Sequence, residues 1–178
     1  MSLARITALV QEEHSKKQAL KIIKFVGKDQ QRFNDLLKIC MGKDERLAQC
    51  ASWPLSYCVE EHPEFVKGKL PKIISHLSKP VHHAVRRNFV RLLRFVEIPA
   101  MLETKVLEAC FRIIHNTDEL LANKVFAIYA ILPICAKYPE LFGELKASMD
   151  SQMPYQTAGF KAAARKVERE YRKSIRLR

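Results

Sequence analysis

The stretch Phe65–Glu97, FVKGKLPKIISHLSKPVHHAVRRNFVRLLRFVE, decides how this chain folds. It holds two amphipathic segments on either side of a break at Lys79-Pro80. Beyond the break, Val85, Phe89, Leu92 and Val96 recur at i, i+4, i+7 and i+11, which lines one face of a helix. Before it, Leu70, Ile73, Ile74 and Leu77 keep a helical spacing of their own. Two helices joined by a short turn are the expected unit.

The unit repeats. Working outward, Pro63, Pro99 and Pro139 each stand before a small or acidic residue and two apolar ones, at spacings of 36 and 40. Proline suits the first turn of a helix, where its missing N–H leaves no bond unmade. A second series interleaves: Lys43-Asp44, Lys79-Pro80, Thr117-Asp118 and Met153-Pro154, spaced by 36, 38 and 36. Asp is an N-cap residue and Pro a first-turn residue, so each pair is read as opening a second helix. Two helices every 36 to 40 residues are the signature of a helical repeat. The last segment repeats the stripe at Phe160, Ala164, Val167 and Tyr171. No stretch alternates with the period of a strand.

The Phe65–Glu97 unit resembles a HEAT repeat, of the HEAT/armadillo-like class. The family pattern places Leu-Pro in the first helix and Val-Arg in the second. Leu70-Pro71 and Val85-Arg86 match it, with Leu77, Phe89 and Leu93 at apolar positions. Elsewhere Gln49-Cys50 and Lys124-Val125 stand near the Val-Arg position, and the turn Asp occurs as Asp44 and Asp118, so the rhythm covers residues 29–173. The resemblance implies a curved stack of helix pairs that touch mainly their neighbours. The expectation is an all-α chain, an α-solenoid of about five HEAT-like helix pairs with no sheet. The pairs are placed at 3–26, 29–61, 64–97, 100–137 and 140–173, within a single domain of residues 1–178.

Composition fits a folded, helix-rich protein: nearly half the residues are apolar and only five are Gly. The longest apolar run, Val125–Ala136, is too short to span a bilayer and is read as a buried helix at the centre of the stack. LARITALV near the start has no cleavage site of a secretory signal. Cys40, Cys50, Cys58, Cys110 and Cys135 lie among apolar residues and form no C-x-x-C, which points to buried reduced thiols and a cytoplasmic protein. No Cys/His spacing suits a metal, and no cofactor is expected.

The net charge of +12 is uneven: +5 over residues 1–43, zero over 44–79, +3 over 80–117, −2 over 118–154 and +6 over 155–178. Such a field favours an anionic partner. Two arginine clusters are the candidate binding residues. Arg87, Arg91 and Arg94, with His83, lie opposite the apolar stripe of one helix. Arg165, Arg169, Arg172 and Arg176 follow at i, i+4, i+7 and i+11 on the last. Guanidinium forks suit phosphates and carboxylates, and helical-repeat proteins resembling HEAT-type DNA glycosylases use a basic concave groove. Against a continuous groove, the positions one repeat away from the first cluster are Ala51, Leu55 and Cys58, and Val125, Tyr129 and Leu132. A solvated surface is the simpler reading of both clusters. Trp53, beside Pro54 in mid-helix, is read as core.

One stretch suggests an enzyme. Ser151–Phe160, SQMPYQTAGF, resembles the G-S-S-x-M-P-x-K-x-N loop of the fumarase/adenylosuccinate lyase superfamily. Ser151 takes the second serine position. Asp150 and Met149 replace the first serine and the glycine, Gln156 replaces the lysine, and Ala158 the asparagine. An anionic substrate needs the fixed charge and amide donors that Gln156 and Ala158 do not supply. The spacing of Pro154 from Asp118 makes the stretch a turn of the last repeat instead. His82-His83 is read as two helix-surface residues turned about 100° apart, and Ser56, Tyr57, Cys58 and Glu60-Glu61 form no catalytic set. The expected function is therefore a non-enzymatic helical-repeat scaffold that binds another macromolecule. A protein partner comes first, nucleic acid is the alternative, and a lyase-type enzyme is a remote third.

Overall fold

The computed structural model describes the backbone of residues 2–176 and the side chains of residues 2–173. Ten α-helices and two 3-10 turns make up the described residues, which contain no strand. The all-α expectation is met. None of the described helices is long and apolar enough to cross a membrane. The chain divides into two compact units, residues 1–98 and 99–178.

The first unit contains α1 (Ser2–Glu12), α2 (Lys16–Val26), α3 (Gln30–Cys40), α4 (Glu45–Glu61), a 3-10 turn (Pro63–Val66), α5 (Leu70–Leu77) and α6 (His83–Leu93). Caps fix where the early helices begin. The Ser15 hydroxyl accepts from the Gln18 N–H, Asp29 from Gln31 and Arg32, and Asp44 from Leu47 at 2.9 Å. Gly27 ends α2 at φ +50°, a conformation that strains any residue with a Cβ, and its N–H bonds to Ile23 O. α4 is the hub of the unit, packed against α1, α2, α3 and α6. Phe33, Leu36, Leu55, Phe89 and Leu92 are fully buried around it.

A polar ladder runs between α4 and α6 inside that apolar packing. Asn88, only 3% exposed, donates from Nδ2 to the Ser52 hydroxyl at 3.0 Å and to Ala84 O at 2.9 Å. Its Oδ1 lies 3.4 Å from the Ser56 hydroxyl. Arg91 continues the ladder: Nη1 donates to the Ser56 hydroxyl at 3.2 Å, and Nη2 pairs with the Glu60 carboxylate. Ser52, Ser56 and Asn88 are buried polar groups satisfied by their neighbours, the ladder reaches the surface at Glu60, and that satisfaction fixes the register of the two helices.

The second unit contains α7 (Ala100–His115), α8 (Leu121–Lys137), α9 (Pro139–Gln152), a 3-10 turn (Met153–Tyr155) and α10 (Ala158–Arg176). α8 packs against α7, α9 and α10, as its apolar circumference requires. The stripe on α10 is buried at Phe160, Ala164 and Val167, and Tyr171 stacks on Phe142 of α9 with ring centroids 3.4 Å apart. Polar ties join the helices here too. Buried Glu103 accepts from Lys137 Nζ at 2.5 Å and from the Tyr138 hydroxyl at 3.3 Å. Gln152 Nε2 donates to Ile114 O, and His115 Nε2 lies 2.8 Å from the Ser148 hydroxyl.

Several helix starts differ from the punctuation. The helix expected over 64–77 is split: Gly68 at φ +73° interrupts it, and α5 begins only at Leu70, with Pro71 in its first turn. Pro80 does not open α6. The Ala84 N–H is captured by the His82 ring, so the helix starts at His83 and ends before Val96. Asp118 does not cap α8; Asn116 Oδ1 takes the Asp118 N–H in a turn, and the helix starts at Leu121. Pro154 lies in the 3-10 turn, and Thr157 Oγ1 lies 3.4 Å from the Phe160 N–H at the start of α10.

All five cysteines are buried free thiols. Burial pushes Cys58, Cys110 and Cys135 up from the ordinary 9.0 to about 12, with smaller upward pushes from Glu61 on Cys58, Cys135 on Cys110 and Glu144 on Cys135. Their folded pKa exceeds the unfolded one, so the native state holds protons that the unfolded state releases above pH 9. The stability they contribute is complete below about pH 9 and is lost as pH climbs from there towards 12. Urea denaturation between pH 7.5 and about 10.5 should show a midpoint that is flat at first and then falls, and replacing Cys110 by Ala should flatten the fall.

Candidate functional site

The two arginine clusters are placed differently from each other. On α6, Arg87 and Arg94 are exposed, but Arg91 is not available to a partner. Its side chain is 14% exposed, tied to Ser56 and Glu60, and its guanidinium lies over the Tyr57 ring at 4.2 Å and the Phe95 ring at 4.9 Å. An i, i+4, i+7 spacing marks a common face but does not say whether the adjacent helix covers it. Here α4 covers the middle position. On α10, Arg165, Arg169 and Arg172 are all exposed on one face, and Arg172 comes within 3.8 Å of Glu168. The side chain of Arg176 lies outside the described residues.

The histidine pair also differs from expectation. His82 is the cap of α6 and not part of the helix, so the rotation between adjacent helical residues does not apply. Its ring lies 4.1 Å from that of His83, centroid to centroid. Burial and the neighbouring His83 lower the pKa of His82.

A surface absent from the sequence reading lies on α2. Lys17, Leu20, Lys21 and Lys24 follow at helical spacing, with Lys16 one turn before Leu20. Leu20 is 55% exposed in the midst of these lysines. Behind it, Ala19, Leu20 and Ile23 form a shallow apolar groove with Trp53 and Tyr57 of α4. Trp53 was expected in the core. Instead it is half-buried and meets the partly exposed Tyr57 edge-on, with centroids 6.3 Å apart. Pro54 and Leu55 take the buried positions beside it. The signal was present in KKQALKIIKF, whose lysines surround one apolar residue on the face opposite Ile22 and Val26.

The SQMPYQ stretch forms a corner of the second unit. Ser151 is the penultimate residue of α9, and its hydroxyl donates to Ser148 O at 3.1 Å. Gln152, the last, is tied to α7. With His115, Thr117, Lys124, Tyr155 and Gln156 they line a pocket of about 440 Å³.

The chain belongs to the HEAT repeat domain family, whose model matches residues 6–171. No curated protein and no solved structure matches it. Proteins of this family are typically non-enzymatic scaffolds that commonly mediate protein interactions.

The placement of the α6 arginines gives a direct check. Arg91→Met should destabilise the protein by about 1 kcal/mol, because the buried Ser56 hydroxyl loses the Arg91 donor and Glu60 loses its partner. Arg87→Met, on an exposed position, should change stability by less than about 0.5 kcal/mol. Chemical denaturation of the two variants measures both.

Proposed function

We propose that this protein is a non-enzymatic helical-repeat scaffold that binds another protein through the lysine-rimmed groove between α2 and α4. The observation that carries the reading is the pairing of exposed aromatic and aliphatic surface with a single-sign rim. Trp53, Tyr57 and Leu20 offer an apolar strip, and Lys16, Lys17, Lys21 and Lys24 surround its outer edge. Tyr and Trp are the residue types that anchor interfaces, since they bury large rigid area at little entropic cost. The chemistry fits an acidic amphipathic helix, with its apolar side chains in the groove and its carboxylates on the lysines. Arg91 over Tyr57 makes this ring a rigid anchor.

The chain has one tryptophan, and it lies in the groove. Titration with an acidic amphipathic helical peptide, Leu and Phe on one face and Glu on the other, should therefore shift Trp53 emission saturably. Binding should weaken with added salt and fall at least about tenfold in Leu20→Glu, a change at an exposed position that leaves the fold intact. An emission spectrum unmoved by the peptide, or moved equally in Leu20→Glu, would sink the reading.

The exposed arginines of α10 favour a second reading, a nucleic-acid-binding module. Arg165, Arg169 and Arg172 would contact phosphates along one face. This reading expects salt-sensitive retention on immobilised DNA or RNA that is lost when all three become Glu. Unchanged retention in the triple variant would exclude it.

A further inference from the structure

The pocket behind the SQMPYQ corner contains a buried lysine that no carboxylate pairs with among the described residues. Lys124 is 4% exposed. Among the described residues its ammonium makes one hydrogen bond, to the Gln152 amide oxygen at 3.2 Å, and no described carboxylate pairs with it. The nearest acidic residue in sequence, Glu119, is engaged elsewhere: its Oε1 accepts from the Leu120 N–H and from Asn123 Nδ2. A desolvated ammonium needs a partner charge or a full set of acceptors, and one amide oxygen is neither. Lys124 also stands in the first turn of α8, a helix with no side-chain cap, where the helix dipole favours a negative charge.

The rest of the lining is matched to an anion. None of the residues that line the pocket is acidic. Gln152 is held rigid by Nε2 bonds to Ile114 O and Ser148 O, so its amide oxygen is fixed against the lysine. His115 is held by its 2.8 Å contact with the Ser148 hydroxyl. Thr117 and Tyr155 bring hydroxyl groups and Gln156 an amide to the mouth. Two N–H groups of the ammonium remain for a ligand, since it has three donors in all. The volume of about 440 Å³ admits a small molecule and not a chain segment of a folded partner.

We propose that this pocket binds a small oxyanion, a phosphate or a carboxylate, with Lys124 supplying the charge and Thr117, Tyr155 and Gln156 supplying neutral hydrogen bonds. The proposal is independent of the α2 groove, which lies in the other unit. A ligand there would join α7, α8 and α9 at one corner, because the lining residues come from all three helices and from the turn after them.

The test is a two-dimensional amide NMR titration of the intact protein, at constant ionic strength set with chloride, with inorganic phosphate in one arm and succinate in the other. Saturable shifts at Thr117, Lys124, Tyr155 and Gln156 are expected. The affinity should fall at least about tenfold in Lys124→Met, which removes the charge-assisted bond. Thr117→Val, at an exposed position, should weaken binding several-fold and keeps the test alive if Lys124→Met does not fold. Saturation by phosphate alone assigns a phosphoryl ligand, by succinate alone a carboxylate, and by both the shared oxyanion chemistry. Linear, non-saturating shifts in both arms, or equal affinity in the variants and the parent protein, would overturn the proposal.

Discussion

The polar ladder between α4 and α6 is the constraint on which the first unit depends. Apolar packing alone would let two amphipathic helices slide by a residue or a turn at modest cost, since Leu, Val and Phe are interchangeable partners. Ser52, Ser56, Asn88, Arg91 and Glu60 do not permit this, because any slip leaves a buried donor or acceptor unpaired. The rungs join residues 36, 32 and 35 apart. The sequence period is thus realised as a physical contact between equivalent positions of successive repeats. The second unit has the same habit: Glu103 meets Lys137, and His115 meets Ser148, at separations of 34 and 33. A family rhythm that looks like loose punctuation in sequence is held in place by specific polar pairs one repeat apart.

That ladder also governs the surface above it. Arg91 is a rung on one side and a lid on Tyr57 on the other. Tyr57 meets Trp53, and the two rings form one wall of the groove whose other wall is α2. Tyr57 therefore lies under a guanidinium that the ladder's hydrogen bonds hold in place. Preorganised anchors bind with less ordering cost than mobile ones. The basic charge of this unit then divides into two kinds. Arg91 turns inward, where its fork satisfies Ser56 and Glu60 together, and the α2 lysines stay outside, where long flexible ammonium groups rim the groove.

Most of the helices were legible in the sequence because their buried faces repeat with helical period, as Val85, Phe89 and Leu92 on α6 and Phe160, Ala164 and Val167 on α10 show. Helix starts were less legible. Asp44 caps as its residue type suggests, but Asp118 is drawn into a turn by Asn116 Oδ1, and His82 rather than Pro80 marks the start of α6 by accepting from the Ala84 N–H. The sites were harder still. A spacing tells which residues share a face, and only the packing tells which faces are covered. Arg91 and Trp53 exchanged places for this reason: the charged residue went in because Ser56 and Glu60 awaited it, and the tryptophan stayed at the rim because Leu55 filled the core. Lys124 was legible only as a member of a repeat pattern, because its burial comes from the folding of the Gln152 corner over it.

The central claim is that a helical-repeat scaffold presents a fixed apolar strip with a lysine rim to an acidic partner. The most direct measurement is the indole N–H resonance of Trp53, followed beside the backbone amides of α2 and α10 as an acidic amphipathic peptide is added. The account predicts saturable movement of the Trp53 indole and of Lys17 to Lys24, with the α10 amides unmoved. Movement confined to Arg165–Arg172, with the indole stationary, would contradict it.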